Sequence, residues 1–275
     1  MIALGVVLVP LMVLYFPFLQ RLVEDWGEND NYSHGYFIPF ISVYMIYSIR
    51  ENLARLPVTP TILGLVVVML GLAQLIVGKI GAELFTQRTS LIVVLAGLVL
   101  FFRGWRFLRG VSLPLLYLFF MIPLPAIIWY KIAFPMQLFG SYLTEQVVGV
   151  VGIPIFREGN VLHLAETTLE VVEACSGLRS LMTMFALSGV LVWFSTLAPW
   201  KKWVLFFSAA PIAVFANIVR LTGTAILASK YGPEVAHGFL HDFSGLVIFV
   251  VGLSLLMAVY RGLNRKGSSK DTERP

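Results

Sequence analysis

Charge and cysteine are what this chain has least of. Only 13% of its 275 residues are charged against 58% hydrophobic, and the mean hydropathy is +0.85. Soluble domains carry about 25% charged residues, so this composition excludes one and points to a polytopic membrane protein. The single cysteine, Cys175, excludes an intrachain disulfide. There is no Gly-rich phosphate loop, no His and Cys cluster at metal-ligand spacing and no internal repeat, so neither cofactor nor metal is expected. A cleavable signal peptide is missing as well. The first apolar segment lacks a basic n-region and a small-residue cleavage site before Trp26, and is expected to be an uncleaved span.

What is present is a succession of apolar stretches near the bilayer-spanning length of about 20 residues. They fall at 1–19, 36–49, 61–78, 90–102, 111–130, 177–197, 203–228 and 242–260. The expected fold is therefore an all-α polytopic membrane protein of about eight transmembrane helices, with one domain over 1–260 and a short polar cytoplasmic tail over 261–275. With the N-terminus inside, the inner segments carry 12 Lys and Arg and the outer ones 6, the sense required by the positive-inside rule. The net charge of +5 thus reflects orientation in a bilayer and not nucleic-acid binding, and Arg265 and Lys266 in the tail suit anionic lipid.

The longest non-spanning stretch, 131–175, falls on the outer side. Its first part, 131–151, suits a helix lying in the interface or dipping partway into the bilayer. Beyond Gly152-Ile153-Pro154, β-branched residues flank Gly159-Asn160 and predict a small extracytoplasmic β-hairpin before Cys175. Strand alternation puts Leu169, Val171 and Glu173 on one face, which Cys175 continues. His163, on the first strand, is expected to be an exposed strand histidine.

Three polar groups then fall at one membrane depth. Cys175 precedes the sixth apolar segment, where unpaired N–H groups and the helix dipole favour a thiolate; the plainer alternative is a buried small hydrophobe. Arg220 lies about nine residues, or roughly 13 Å, from the outer end of the seventh segment. A charge at that depth faces a bundle interior or polar cavity unless it snorkels to the surface. Asn217 is one turn deeper on about the same face and is placed to orient the guanidinium. His241 stands just before the eighth segment with a pKa suited to proton transfer, and His237 is four residues earlier. A thiol, a guanidinium and an imidazole are the nucleophile, oxyanion stabiliser and acid or base of cysteine acyl transfer. The pattern establishes shared depth, not contact.

Four motifs in order carry a resemblance. They are Trp26 with Asn31-Tyr32-Ser33-His34-Gly35, then Glu173-Ala174-Cys175-Ser176-Gly177-Leu178-Arg179-Ser180, then Asn217-Ile218-Val219-Arg220, and last His241-Asp242-Phe243-Ser244-Gly245. On these residues the chain resembles the exosortases over essentially its whole length. The resemblance implies a membrane-embedded cysteine protease or transpeptidase of the bacterial inner membrane, with Cys175, Arg220 and His241 catalytic on the periplasmic side. It implies as substrates secreted proteins ending in Pro-Glu-Pro, a transmembrane helix and a basic cluster, the PEP-CTERM signal, and a link to exopolysaccharide production. Asn217, Glu173, Ser176, Arg179 and His34 are the expected supporting or substrate-binding residues. His34 also reads as part of a turn capping the second segment, and Arg179 as a partner of Glu173 or of the thiolate. Two other functions fit the residues alone: a non-enzymatic component of polysaccharide export, and a membrane acyltransferase with a histidine base.

Overall fold

The computed structural model describes residues 2–165, 167–171, 177–232 and 239–268, with the side chains of all these except 2–8, 239–244 and 266–268. Glu173, Cys175, Ser176 and His237 lie outside the described residues. Contacts cluster in two units, Met1–Pro125 and Ala126–Pro275. The first holds α1 (Ile2–Glu28), a 3-10 turn (Asp30–Tyr36), α2 (Ile38–Ser48), α3 (Arg50–Ala54), α4 (Leu63–Ile80), α5 (Leu84–Arg103), α6 (Trp105–Tyr117) and a second 3-10 turn (Leu118–Met121).

Its tightest packing is the antiparallel hairpin of α4 and α5. Lipid tails are as apolar as leucine, so neighbouring helices in a bilayer associate through close van der Waals contact, and small residues permit it. Gly64, Gly71 and Gly78, seven residues apart, supply the flat seam. A methyl group on Gly64 would stand 2.1 Å from the Phe101 backbone nitrogen, and one on Gly71 would stand 2.7 Å from Val94. Glu83 caps α5, accepting from the Phe85 and Thr86 backbone N–H groups at 3.2 and 2.5 Å. That cap starts the helix earlier than the apolar run at 90. Arg88, expected in an outer loop, is consequently inside α5, buried and paired with Asp25 of α1 at 2.5 Å.

The second unit holds α7 (Ala126–Val150), β1 (Ile155–Glu158), β2 (Val161–Leu164), β3 (Thr168–Glu170), α8 (Leu178–Phe194), α9 (Pro199–Tyr231) and α10 (Phe239–Ser268). The apolar run 111–130 is not one helix: Pro123 and Pro125 stand between the second 3-10 turn and α7, and proline cannot continue a helical ladder. The 131–151 stretch, expected to lie in the interface or dip partway into the bilayer, runs alongside α9. Its buried stripe of Ala133, Gln137, Gly140, Ser141, Thr144 and Val148 includes the residues that meet α9. A methyl on Gly140 would touch Leu221 at 3.2 Å, and Val148 packs with Ala225 and Ala228. Gln137, Ser141 and Thr144 of this helix are buried against protein, whereas Lys131 and Gln146 are exposed.

The strands form an antiparallel sheet in the order β1-β2-β3, so the segment before Cys175 has three strands, with Gly159 in the left-handed region at the first turn. From α7, Ser141 donates to the Gly159 carbonyl at 3.1 Å, and Glu145 accepts from the backbone N–H and Nε of Arg157 at 3.1 and 3.3 Å. Leu162, Leu169 and Val171 of the apolar face pack on Leu221 of α9. His163 is half-exposed, stacked on Phe156 and 3.7 Å from Glu158.

Among the described residues, four helical stretches are long and apolar enough to cross a membrane: α4, α5, α9 and Gly245–Arg265 of α10. Trp105–Met121 and Ala126–Val150 add a fifth if the broken pair counts as one span. The second expected span is only the 11-residue α2, and α8 has 17 residues. The α10 helix runs to Ser268, past the expected tail boundary at 260. The glycine seam makes a prediction: Gly64→Val should destabilise the detergent-solubilised protein by more than the ~1–3 kcal/mol usual for overpacking, read as a lowered thermal unfolding midpoint, because the contact is backbone. Gly262→Val, with nothing within 4 Å of the added carbon, should leave the midpoint unchanged.

Candidate active site

One turn of α9 organises the second unit. Asn217 is buried, and Gly177, the residue that caps α8, lies directly against it: a methyl on Gly177 would stand 2.9 Å from both Cβ and Cγ of Asn217. Gly177 also has φ +79°, a left-handed conformation that glycine adopts without a Cβ penalty. One turn further along α9, Leu221 receives Val171, whose N–H donates to the Asn160 carbonyl at 2.9 Å and whose carbonyl accepts from Asn160 Nδ2 at 3.2 Å. The chain entering 172–176 and the chain leaving it are thus both held on the same turn of α9, and half-buried Arg220 belongs to that turn.

Cys175 is two residues from Gly177. Arg179 is in the first turn of α8, half-buried, with its carbonyl accepting from Thr183 Oγ1 at 3.0 Å. His241 occupies the first turn of α10. That helix runs antiparallel to α9: Gly252 is level with Ile212, and Leu263 meets Lys201. These contacts set the register of α10 against α9 between Gly252 and Leu263.

His34 belongs to the first unit, where the expected loop motif grips the second 3-10 turn. Trp26 Nε1 donates to the Met121 carbonyl at 2.8 Å, the His34 Nε2–H donates to the Phe120 carbonyl at 3.1 Å, and the Tyr32 hydroxyl oxygen accepts from the Leu124 N–H at 3.1 Å. Gly35 lies under the Trp26 indole, where a methyl would stand 2.3 Å from Nε1. Burial pushes the Tyr32 hydroxyl up to about 12 against the pull of the Leu124 bond, and pushes His34 below its ordinary 6.5, opposed by the bond to Phe120. For His34 this describes a structural clasp.

With this geometry in place, the comparisons are specific. Residues 26–258 match the family model of the transmembrane exosortases, from the tryptophan of the clasp to well inside α10. The chain belongs to the transmembrane exosortase family. No curated protein and no solved structure matches the chain. The exosortase match spans both units and all four motifs, two of which, at Gly177 and Asn217, are in contact.

Gly140 lies outside every motif, and Gly177, though inside the cysteine motif, was assigned no role there. Both approach Asn217, and a Cβ on Gly140 would stand 3.8 Å from its Nδ2. Their only sequence signal is a glycine where an apolar residue would extend the pattern. Gly177→Ala should cost upwards of about 1 kcal/mol from the left-handed backbone, with the overlap on Asn217 in addition. It should also change the alkylation rate of the lone thiol, Cys175, by several-fold in folded protein at pH 7.5. An unchanged rate would separate the Asn217 contact from the thiol environment.

The clasp carries its own pH dependence. A histidine whose folded pKa is depressed contributes stability that is complete above the unfolded value near 6.5 and is lost as pH falls through and below it. The unfolding midpoint of this exosortase should therefore drop between pH 7.5 and 5.5, and His34→Gln, which keeps an N–H for Phe120, should flatten part of that drop.

Proposed function

We propose that this exosortase is a cysteine protease or transpeptidase that cleaves the C-terminal sorting signal of secreted proteins. The observation that carries the proposal is the double hold on the 172–176 segment by one turn of α9: Val171 on Leu221, Gly177 on Asn217, with Arg220 in the same turn. It ties both ends of the segment that carries Cys175 to the part of α9 that bears Arg220. The antiparallel register of α10 supports His241 as the third member.

The chemistry follows from those three groups. The Cys175 thiolate attacks the scissile carbonyl, and Arg220 stabilises the oxyanion that develops. As the tetrahedral intermediate collapses, the C–N bond breaks and the His241 imidazolium gives its proton to the leaving amine. The acyl group remains as a thioester. Neutral His241 then takes a proton from water, giving a free carboxylate, or from an amine or hydroxyl acceptor, giving a transferred product. Asn217 holds the Gly177 end of the cysteine segment, and Glu173, Ser176 and Arg179 complete its surroundings.

The substrate tail helix docks among the spanning segments with its basic end at the cytoplasmic face, so that the Pro-Glu-Pro region meets the periplasmic side of an eight-segment protein in the inner membrane. Both termini are cytoplasmic in this arrangement. The α1, α2 and α8 helices are the segments added to the long spans, and surface sorting and exopolysaccharide production are the setting.

The test is capture of the intermediate. A reporter carrying Pro-Glu-Pro, a hydrophobic span and an Arg cluster should be processed by wild-type protein and lose at least about 1,000-fold of that rate in Cys175→Ala. Mass spectrometry should find an acyl thioester on Cys175, accumulating in His241→Ala if proton transfer to the acceptor becomes limiting. Processing that persists in Cys175→Ala would end the nucleophile assignment. Retained processing in Arg220→Lys with loss in Arg220→Gln would keep the charge requirement and remove the need for a planar guanidinium.

A further inference from the structure

We propose that the end of α9 remote from the sheet, together with the end of α10, binds the phosphate headgroup of an anionic phospholipid. Lys201 is 8% exposed, and its Nζ donates to the Leu263 carbonyl at 2.7 Å. An ammonium has three N–H donors, and that carbonyl takes one of them. The ion pairs among the described residues are Arg88 with Asp25, Arg157 with Glu145 and His163 with Glu158, none of them at this end. The Lys201 Nζ also stands 5.8 Å from the Trp200 ring centroid, but no carboxylate among the described residues pairs with it, so an anion beside it is stabilising.

The surroundings fit a headgroup phosphate. The α9 helix opens at Pro199, and Ala198 makes no side-chain cap bond, so the first-turn N–H groups of Trp200 and Lys201 are available as donors; the Lys202 N–H is taken by the Ala198 carbonyl at 3.1 Å. Donors at a helix start beside a buried ammonium form an anion site. Lys202 follows directly, and Arg261 and Arg265 are exposed on the last turns of α10.

The rest of the rim is aromatic. Trp200 and Trp203 are 61% and 63% exposed, and Trp203 stacks on Phe207 with ring centroids 5.8 Å apart. Amphipathic rings of this kind mark the headgroup level of a bilayer. From Trp200 to Leu221, where the sheet packs, α9 climbs about 32 Å, close to the roughly 30 Å of a hydrocarbon core. The lysine end and the sheet end of α9 are therefore one bilayer apart. A free phosphate would use the donors but leave the aromatic rim without a role, whereas a lipid uses both.

The test is thermal unfolding of the full-length protein in detergent with phosphatidylglycerol, phosphatidylcholine or inorganic phosphate, paired with native mass spectrometry of retained lipid. Phosphatidylglycerol should raise the midpoint by about 2–4 °C, the scale of a ligand that binds only the folded state. Phosphatidylcholine and phosphate should not. Lys201→Gln should abolish the shift and cut retained phosphatidylglycerol about fivefold. The surface pair Lys202→Gln/Arg265→Gln, which leaves the buried contact in place, should reduce both. Equal shifts with phosphatidylcholine or with phosphate would overturn the proposal, as would an undiminished phosphatidylglycerol shift in the surface pair. Asp271 and Glu273 lie outside the described residues and are the internal rivals. If Asp271→Asn/Glu273→Gln destabilises the protein as much as Lys201→Gln does, the tail and not a lipid supplies the negative charge.

Discussion

The second unit hangs on the turn of α9 from Asn217 to Leu221. Asn217 admits Gly177 so closely that no side chain fits there, and Leu221 closes the apolar face of the sheet through Val171 and Leu162. Two contacts one turn apart hold both ends of the stretch that carries the only thiol. The contacts differ in kind. The Leu221 contact is apolar burial, worth up to a few kcal/mol per side chain, whereas the Asn217 contact is a steric fit made possible by an absent Cβ. A polar residue buried at membrane depth is expensive unless it has a task, and the one at position 217 lies where two exosortase motifs meet.

Around that turn the other elements act as struts. The α7 helix follows α9 closely at Gly140 and again at Val148, and from the same helix Ser141 and Glu145 hold the first hairpin of the sheet. The sheet is therefore bonded to α7 and packed on α9, which limits how β3 can deliver the chain to 172–176. At the far end, Leu205, Ile212 and Leu256 form the core between α9 and α10, and Lys201 ties the two helices together through Leu263. One long helix thus joins a charged, aromatic end to an end that carries the candidate chemistry. The first unit uses different devices for the same purpose: a glycine seam between α4 and α5, a buried Arg88 to Asp25 pair, and a clasp of Trp26, His34 and Tyr32 on the chain from Phe120 to Leu124.

Much of this was legible in the residues. Composition decides the membrane class because few charges and long apolar runs leave no other solvent, and the four motifs in order identify the exosortase family, as the match over 26–258 bears out. The turn at Gly159-Asn160 was readable because turn chemistry is local. That the 131–151 helix packs along α9 was not readable, because a helix with sparse polar residues looks alike whether those residues face headgroups or another helix. The start of α5 was placed late because Gln87 to Ser90, in its first two turns, are polar yet buried, and hydropathy treats buried polar residues as loop.

The sequence by itself determined the solvent of this protein and its family, because each of these is a property of residue type and order. Tertiary structure alone decided which faces meet. A spanning helix is apolar all round, so hydrophobic periodicity does not single out the side that touches α9, and a glycine does not announce which helix it lets approach. The Gly177 to Asn217 contact, the hold on Val171, the clasp around His34 and the Lys201 to Leu263 bond are all contacts between residues at least 30 positions apart or on separate elements. Such contacts follow from chain folding in three dimensions and leave only faint marks on the order of residues along it.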